Sequence, residues 1–338
     1  SRAITTWSQK KKSKHSQTET QAEECKDKKD TIMNEITISG FYDEISSALS
    51  TQIAVLHELG ETYMCPRNVD GKNIADYTFE EFKEKIFPVL KKEGVKFSSI
   101  GSPIGKVGID DEEGFEKQKK QLAELVKIAK LTGCEYIRVF SFFYGEKNPK
   151  DCTEKVIARL KEMLKIVKGS GVKLLHENEK KVYGDVPERV LEIYNAINDE
   201  DFVLCFDASN YVQCDVNPKT AFDMLKDYVV YYHIKDCSKY KVEVPVGTGE
   251  GCYPYILGEL KKRGYHGFMT LEPHTFKYAI FKPIVNFVPF AALAMKDYFK
   301  AFRLIDKKMH RNYFACATRK QVFLWQYYNL KKLLKEVE

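Results

Sequence analysis

The sequence has no apolar run of the ~18 residues needed for a membrane-spanning helix. Its N-terminus has no apolar core of a secretory leader. There is no C-x-x-C pair among its nine cysteines, whose number is odd and whose spacing is scattered. That argues against a disulfide framework and fits a reduced, cytoplasmic setting. A concentrated basic face is missing too. The formal charge is +6, and residues 1–32 supply half of it with eight Lys/Arg against five Asp/Glu. What remains is too thin for a nucleic-acid partner, and no membrane partner is expected. No Ser-His-Asp arrangement can be picked out.

What is there is ordinary globular material, 43% hydrophobic and 30% charged, enough for one large core. Residues 1–32 are polar, Lys-rich and aperiodic, and read as a disordered or added extension. Met33 opens a clean pattern, and 33–338 reads as one domain. Candidate strands lie at 35–41, 61–65, 95–100, 134–141, 172–177, 202–207, 229–234 and 267–272. Helical stretches alternate with them near 44–59, 78–93, 111–132, 151–168, 186–197, 218–227, 251–263 and 319–336. Alternation of this kind marks βα units and a parallel sheet. An open doubly wound sheet would carry a Gly-rich phosphate turn after its first strand. Here that position reads Gly40-Phe41-Tyr42-Asp43. Eight units without that turn predict a single closed (β/α)8 TIM barrel. Residues 275–318 break the pattern, and the apolar run 280–295 is interrupted by Lys282, Pro283 and Pro289. An irregular loop with a short helix over the barrel mouth is expected there, or a subunit interface of a homodimer.

Barrel enzymes place their working groups at the C-terminal ends of strands. Strand 5 ends at Glu177, strand 6 at Asp207, strand 7 at His233 and strand 8 at Glu272. Each charge or imidazole follows an apolar run. Three carboxylates buried together need neutralising. A divalent cation does this directly, and three oxygens with one nitrogen suit Mn, Mg or Co, with Zn as a further candidate. The alternative is rim salt bridges to Lys235, Lys173 or Arg138. It explains each acid alone better than all four residues on consecutive strands. Arg67, Lys106, Arg138, Asn210, Lys235 and His274 stand near strand ends and are candidates for holding substrate. His176 alternates with Glu177 and should face the other way.

Several segments carry a family resemblance. They are GVKLLHENEK at 171–180, FDASNYVQ at 206–213, HIKD at 233–236, VPVGTGEG at 244–251 and GFMTLEPH at 267–274. SPIGK at 102–106 and IRVFSFF at 137–143 extend the match into the first half. Together they resemble the xylose isomerase-like barrel superfamily, within its sugar and sugar phosphate isomerases and epimerases. The resemblance covers about 33–275 and implies one metal on Glu177, Asp207, His233 and Glu272. It also implies that Glu177 and Glu272 act as acid and base on opposite faces of a keto-sugar, through an enediolate. Many members carry a histidine three residues after the Asp, where this chain has Asn210, which weakens the analogy with ketose 3-epimerases. A lyase or dehydratase of a keto-sugar or keto-cyclitol would use the same proton abstraction. A non-catalytic sugar-binding barrel would tolerate loss of a glutamate, and both are present. The related apurinic endonuclease needs more rim histidines than this chain has.

Overall fold

The computed structural model describes residues 36–337 except Pro289 and Tyr313. The expectation for residues 1–32 therefore lies outside the described residues. Eight parallel strands curl into a barrel: β1 (Thr37–Gly40), β2 (Tyr63–Met64), β3 (Lys96–Phe97), β4 (Tyr136–Val139), β5 (Lys173–Glu177), β6 (Phe202–Asp207), β7 (Val229–Ile234) and β8 (Phe268–Leu271). Six of them form one continuous sheet in the order β1-β8-β7-β6-β5-β4, and β2 pairs separately with β3. Single backbone bonds close the ring. Cys65 N donates to Gly40 O at 3.0 Å, Ile100 N to Tyr136 O at 2.8 Å, and Arg138 N to Ile100 O at 2.9 Å.

The helices follow the strands: α1 (Leu49–Glu58), α2 (residues 79–92), α3 (Glu112–Thr132), α4 (Thr153–Val167), α5 (Pro187–Ile197), α6 (Ala208–Gln213), α7 (Pro218–Leu225) and α8 (Tyr253–Lys262). Local chemistry sets their ends. Asp111 caps α3 through the Gly114 N–H at 2.8 Å, and Gly133 ends it with φ +68°. α2 widens into a π turn at Phe82–Ile86, just before Pro88, whose ring nitrogen cannot donate. Glu44, expected at the start of the first helix, lies instead in a 3-10 turn, Tyr42–Glu44, where it faces the barrel mouth.

Residues 275–318 correct the expected irregular loop. They fold into α9 (Phe276–Phe287), α10 (Ala291–Ala294) and α11 (Lys296–Lys308), followed by α12 (Arg319–Glu336). Pro283 sits inside α9 without ending it. Tyr278, Val285, Phe302, Ile305 and Val322 join these helices in a second apolar cluster beside the main core. Helix α9 is hard to read from sequence because one of its two lysines, Lys282, is on the buried face.

Strand alternation divides the strand residues in two. Leu174, Leu204, Phe206, Tyr232, Ile234, Met269 and Leu271 pack outward with the helices in the main core. Leu175, Cys205 and Tyr231 form a small separate cluster inside the ring. A buried hydroxyl network runs through the same layer. Ser39 and Ser98 hydroxyls are 2.6 Å apart, and Tyr231 OH donates to Ser98 Oγ at 2.8 Å and meets Thr270 Oγ1. Opposite Val230 the β6–β7 register slips by one residue, so Cys205 faces Tyr231 and Asp207 faces His233. That bulge sets the phase that aligns the upper residues of β7 with those of β6.

Candidate metal centre

One layer above the hydroxyls, the inward positions turn ionic. Glu177 and Asp207 end β5 and β6, His233 is the penultimate residue of β7, and Glu272 follows β8. All four side chains are buried, and one potential ligand atom from each lies within 4.8 Å of the others. His233 Nδ1 is 3.0 Å from Glu177 Oε1 and 3.3 Å from Glu272 Oε2. Asp207 Oδ1 caps α6 by accepting the Asn210 N–H at 3.0 Å, which leaves Oδ2 facing the cluster.

Three cations surround the acids. Arg138 Nη1 donates to Glu177 Oε2 at 3.2 Å, while its other nitrogens hold the carbonyls of Ser102 and Gly101 at 3.2 and 3.1 Å. Lys235 Nζ is 2.9 Å from Asp207 Oδ2 and 3.7 Å from Glu272 Oε2. Arg67 bridges Asp43 at 2.9 Å, Glu44 at 3.6 Å and Glu272 at 3.3 Å. His274, in a left-handed backbone setting at φ +49°, spans Glu44 Oε1 at 3.0 Å and Glu272 Oε1 at 3.4 Å. Phe41 forms one wall, edge-on to the His233 ring, with both arginines over its face.

These fields move the titrations apart. Burial raises the Glu177 carboxyl, but His233 and Arg138 outweigh it and bring it to about 2. Burial also raises Glu272, and Lys235, His233 and His274 pull it well below the usual range. Asp207 goes the other way, to about 7, because burial and the two neighbouring glutamates exceed the pull of Lys235. Burial lowers His233, and Cys205 and Glu177 raise it well above the ordinary imidazole range.

The donor set fits a divalent cation. Asp207 Oδ2, Glu272 Oε2 and His233 Nδ1 meet only ionic neighbours, Lys235 Nζ among them, and His233 Nε2 makes no hydrogen bond, although buried polar atoms almost always do. Three carboxylates and an imidazole converging on one point from four successive strands are a donor set that a metal would satisfy. Lys235 and Arg138 neutralise part of the acid charge, as the salt-bridge alternative expected. Lys173 does not, since it pairs with Glu135 at 2.8 Å on the opposite end of the barrel.

The structure thus gathers nine of the ten candidate residues. Lys106 stands apart: it pairs with Glu179 Oε2 at 2.7 Å and lies over the Phe140 ring, reaching none of the four central side chains. Its loop presses on β4 at Gly105, φ +89°, where a Cβ would collide with the Phe140 backbone. Asn210 Nδ2 donates to the Asn178 carbonyl at 2.8 Å and approaches Glu177 Oε1 at 3.4 Å. His176 faces outward, stacked on Phe202. Sequence reading passed over Asp43, Glu44, Asn178 and Glu179. The first two lie three and four residues past the end of β1, in the 3-10 turn beyond the strand end.

A family model described as xylose isomerase-like TIM barrel matches residues 53–286. No curated protein sequence matches the chain. Among solved structures, the IolI protein with a bound zinc atom superposes with a TM-score of 0.64 at 15% identity, over 89% of this chain and 99% of that one. D-allulose 3-epimerase from Methylomonas sp. gives 0.62 at 14% identity, over 88% and 98%. The probable 3-DHS dehydratase AsbF from Bacillus anthracis gives 0.56 at 16% identity, over 70% and 92%. At these identities the likeness is one of fold.

Proposed function

The chain belongs to the xylose isomerase-like TIM barrel family, and from that premise we propose that it is a divalent-metal-dependent isomerase or epimerase of a keto-sugar. The observation that carries the proposal is the pair Glu177 and Glu272, which meet at 3.0 and 3.3 Å on the same His233 nitrogen from strands on either side of β7 and β6. A divalent ion held by Glu177, Asp207, His233 and Glu272 would polarise a substrate carbonyl and stabilise negative charge on its oxygen.

The chain's own residues divide the remaining work. Glu177 is oriented by Arg138 and Asn210, so one carboxylate oxygen stays aimed inward to take a proton from the carbon beside the carbonyl. Glu272 returns a proton from the other side. His274 links Glu272 to Glu44 and to the partly exposed rim, which gives that proton a route to solvent. Phe41 keeps water from the centre of the site.

The charge pattern favours an uncharged polyhydroxyl substrate over a phosphorylated or carboxylated one. Arg67, Lys106, Arg138, Lys235 and His274 each already hold a carboxylate. An anionic substrate would have to displace one of them. The test is incubation of the metal-loaded protein with unphosphorylated ketohexoses and ketopentoses in heavy water. Deuterium at the carbon next to the carbonyl, with a new epimer or aldose, supports the proposal. Loss of water from the sugar would instead make the chain a dehydratase. No exchange with any keto-sugar, by a protein that holds its metal, would overturn both.

A further inference from the structure

Helix α9 wears its polarity inside out. Tyr278, Lys282 and Val285 are buried, whereas Ile280, Ile284 and Phe287, at the same i, i+4, i+7 spacing, face solvent. The buried lysine is accommodated, because Asp306 of α11 accepts from both Lys282 Nζ and Tyr278 OH. The apolar stripe has no such cover. It runs on through Val288 to Phe290 and Leu293, which are 85% and 77% exposed. Phe314 sits beside Phe287 with ring centroids 6.4 Å apart. Phe290 has φ +65°, a setting costly for a bulky residue, and the turn it makes projects its ring outward.

Charge is as one-sided as polarity. Residues 275–320 contain ten Lys/Arg and two Asp/Glu, whereas residues 33–274 contain 33 Lys/Arg and 39 Asp/Glu. One of the two acids, Asp306, is taken up by Lys282. Lys296, Lys300, Arg303 and Lys307 recur at i, i+4, i+7 and i+11 along α11, beginning three residues after Leu293. Among the described residues, exposed Lys296, Lys307 and Lys308 have no acidic partner. Elsewhere on the surface lysines are commonly paired, as Lys119 is with Glu116 and Glu162 and Lys168 with Asp199 and Asp201.

We infer that the α9–α10 tip and the basic stripe of α11 form a peripheral docking surface for an anionic phospholipid membrane. A projecting apolar knob suits fluid acyl chains, and lysines beside it suit the phosphate layer above them. A second copy is disfavoured by charge, since two-fold pairing through this face would set one basic rim against the other. No helix among the described residues is long and apolar enough to cross a membrane, so the contact is one of surface attachment.

The experiment is co-sedimentation of the full chain with phosphatidylcholine vesicles, alone or with a third phosphatidylserine. The expected result is pelleting with the mixed vesicles only, weakening as salt rises, and lost in Phe290→Ser/Leu293→Ser and in Lys296→Glu/Lys307→Glu. Circular dichroism checks that the variants fold, and the charge pair, being exposed, carries the test if the apolar pair does not. Retention in the supernatant with phosphatidylserine overturns the inference. So does a dimer by light scattering that Phe290→Ser/Leu293→Ser converts to monomer, because the patch then belongs to a second copy.

Discussion

Asn178 and Asp207 are joined by two hydrogen bonds running in opposite directions: Asn178 Nδ2 donates to Asp207 O at 2.9 Å, and Asp207 N donates to Asn178 Oδ1 at 2.9 Å. This amide clamp fixes the backbone that presents the Asp207 carboxylate. Replacing Asn178 with Ala should leave two buried backbone groups unpaired and cost about 1–3 kcal/mol of stability. Metal affinity should fall by about 10- to 100-fold, since outer partners of this kind orient the ligands. Calorimetric titration with Mn²⁺ against urea unfolding of the same variant separates the two effects.

Elemental analysis of protein purified without chelator should find about one equivalent of a divalent metal. His233→Ala/Asp207→Ala should abolish it. Added metal at ~100 times its Kd should stabilise the parent by about 2.7 kcal/mol and leave the double variant unchanged. Metal-independent melting of both proteins would return the cluster to a set of salt bridges.

Lys235→Met tests how much of the site rests on protein cations. It leaves Asp207 buried without its 2.9 Å counter-charge. In metal-free protein the loss should be about 3–5 kcal/mol, and saturating metal should restore a large part of it. Equal losses with and without metal would mean that no cation enters the cluster.

Glu272→Gln keeps the shape of the side chain and removes its ability to carry a proton. Deuterium exchange into the sugar should fall by at least ~100-fold in variant protein that circular dichroism shows to be folded. Full exchange in this variant would remove Glu272 from the proposed acid/base pair.

Acid stability should depend on Glu243. Burial raises its carboxyl, but Lys277 at 2.8 Å lowers it more, to about 2 from the ordinary 4.5. The folded state therefore binds its proton less readily than the unfolded one. The stability it contributes is complete above about 4.5 and is lost as pH falls from there through about 2. Urea unfolding at pH 5 and pH 3 should show a steeper drop for the parent than for Glu243→Gln.

The barrel was legible because short apolar, β-branched runs alternate with helical stretches eight times, and the four central residues because each follows an apolar run with a charge or an imidazole. The excursion 275–308 was not legible. Its pattern inverts the usual rule, with Lys282 inside and Ile280, Ile284 and Phe287 outside. Asp43 and Glu44 were missed for a different reason. An acid after β1 looks like any solvated loop residue until Arg67, 24 residues from Asp43 along the chain, folds back onto both. Lys106 shows the converse error, since proximity to a strand end did not bring its side chain to the centre.

The division of the ring into six strands and two has a bearing on how anything enters. Glu177, Asp207 and His233 lie on strands of the unbroken ladder, and Glu272 N is tied to it through Ile234 O at 3.1 Å. Their spacing is thus held by neighbouring rows about 4.8 Å apart. Arg67, which covers Glu272, follows the two-residue strand β2, where few backbone bonds resist opening. The amides of β2 and β3 should therefore exchange with solvent at much lower opening free energy than those of β5 to β8. One arc of the wall acts as the fixed jaw of a clamp, and the other can yield to admit a guest.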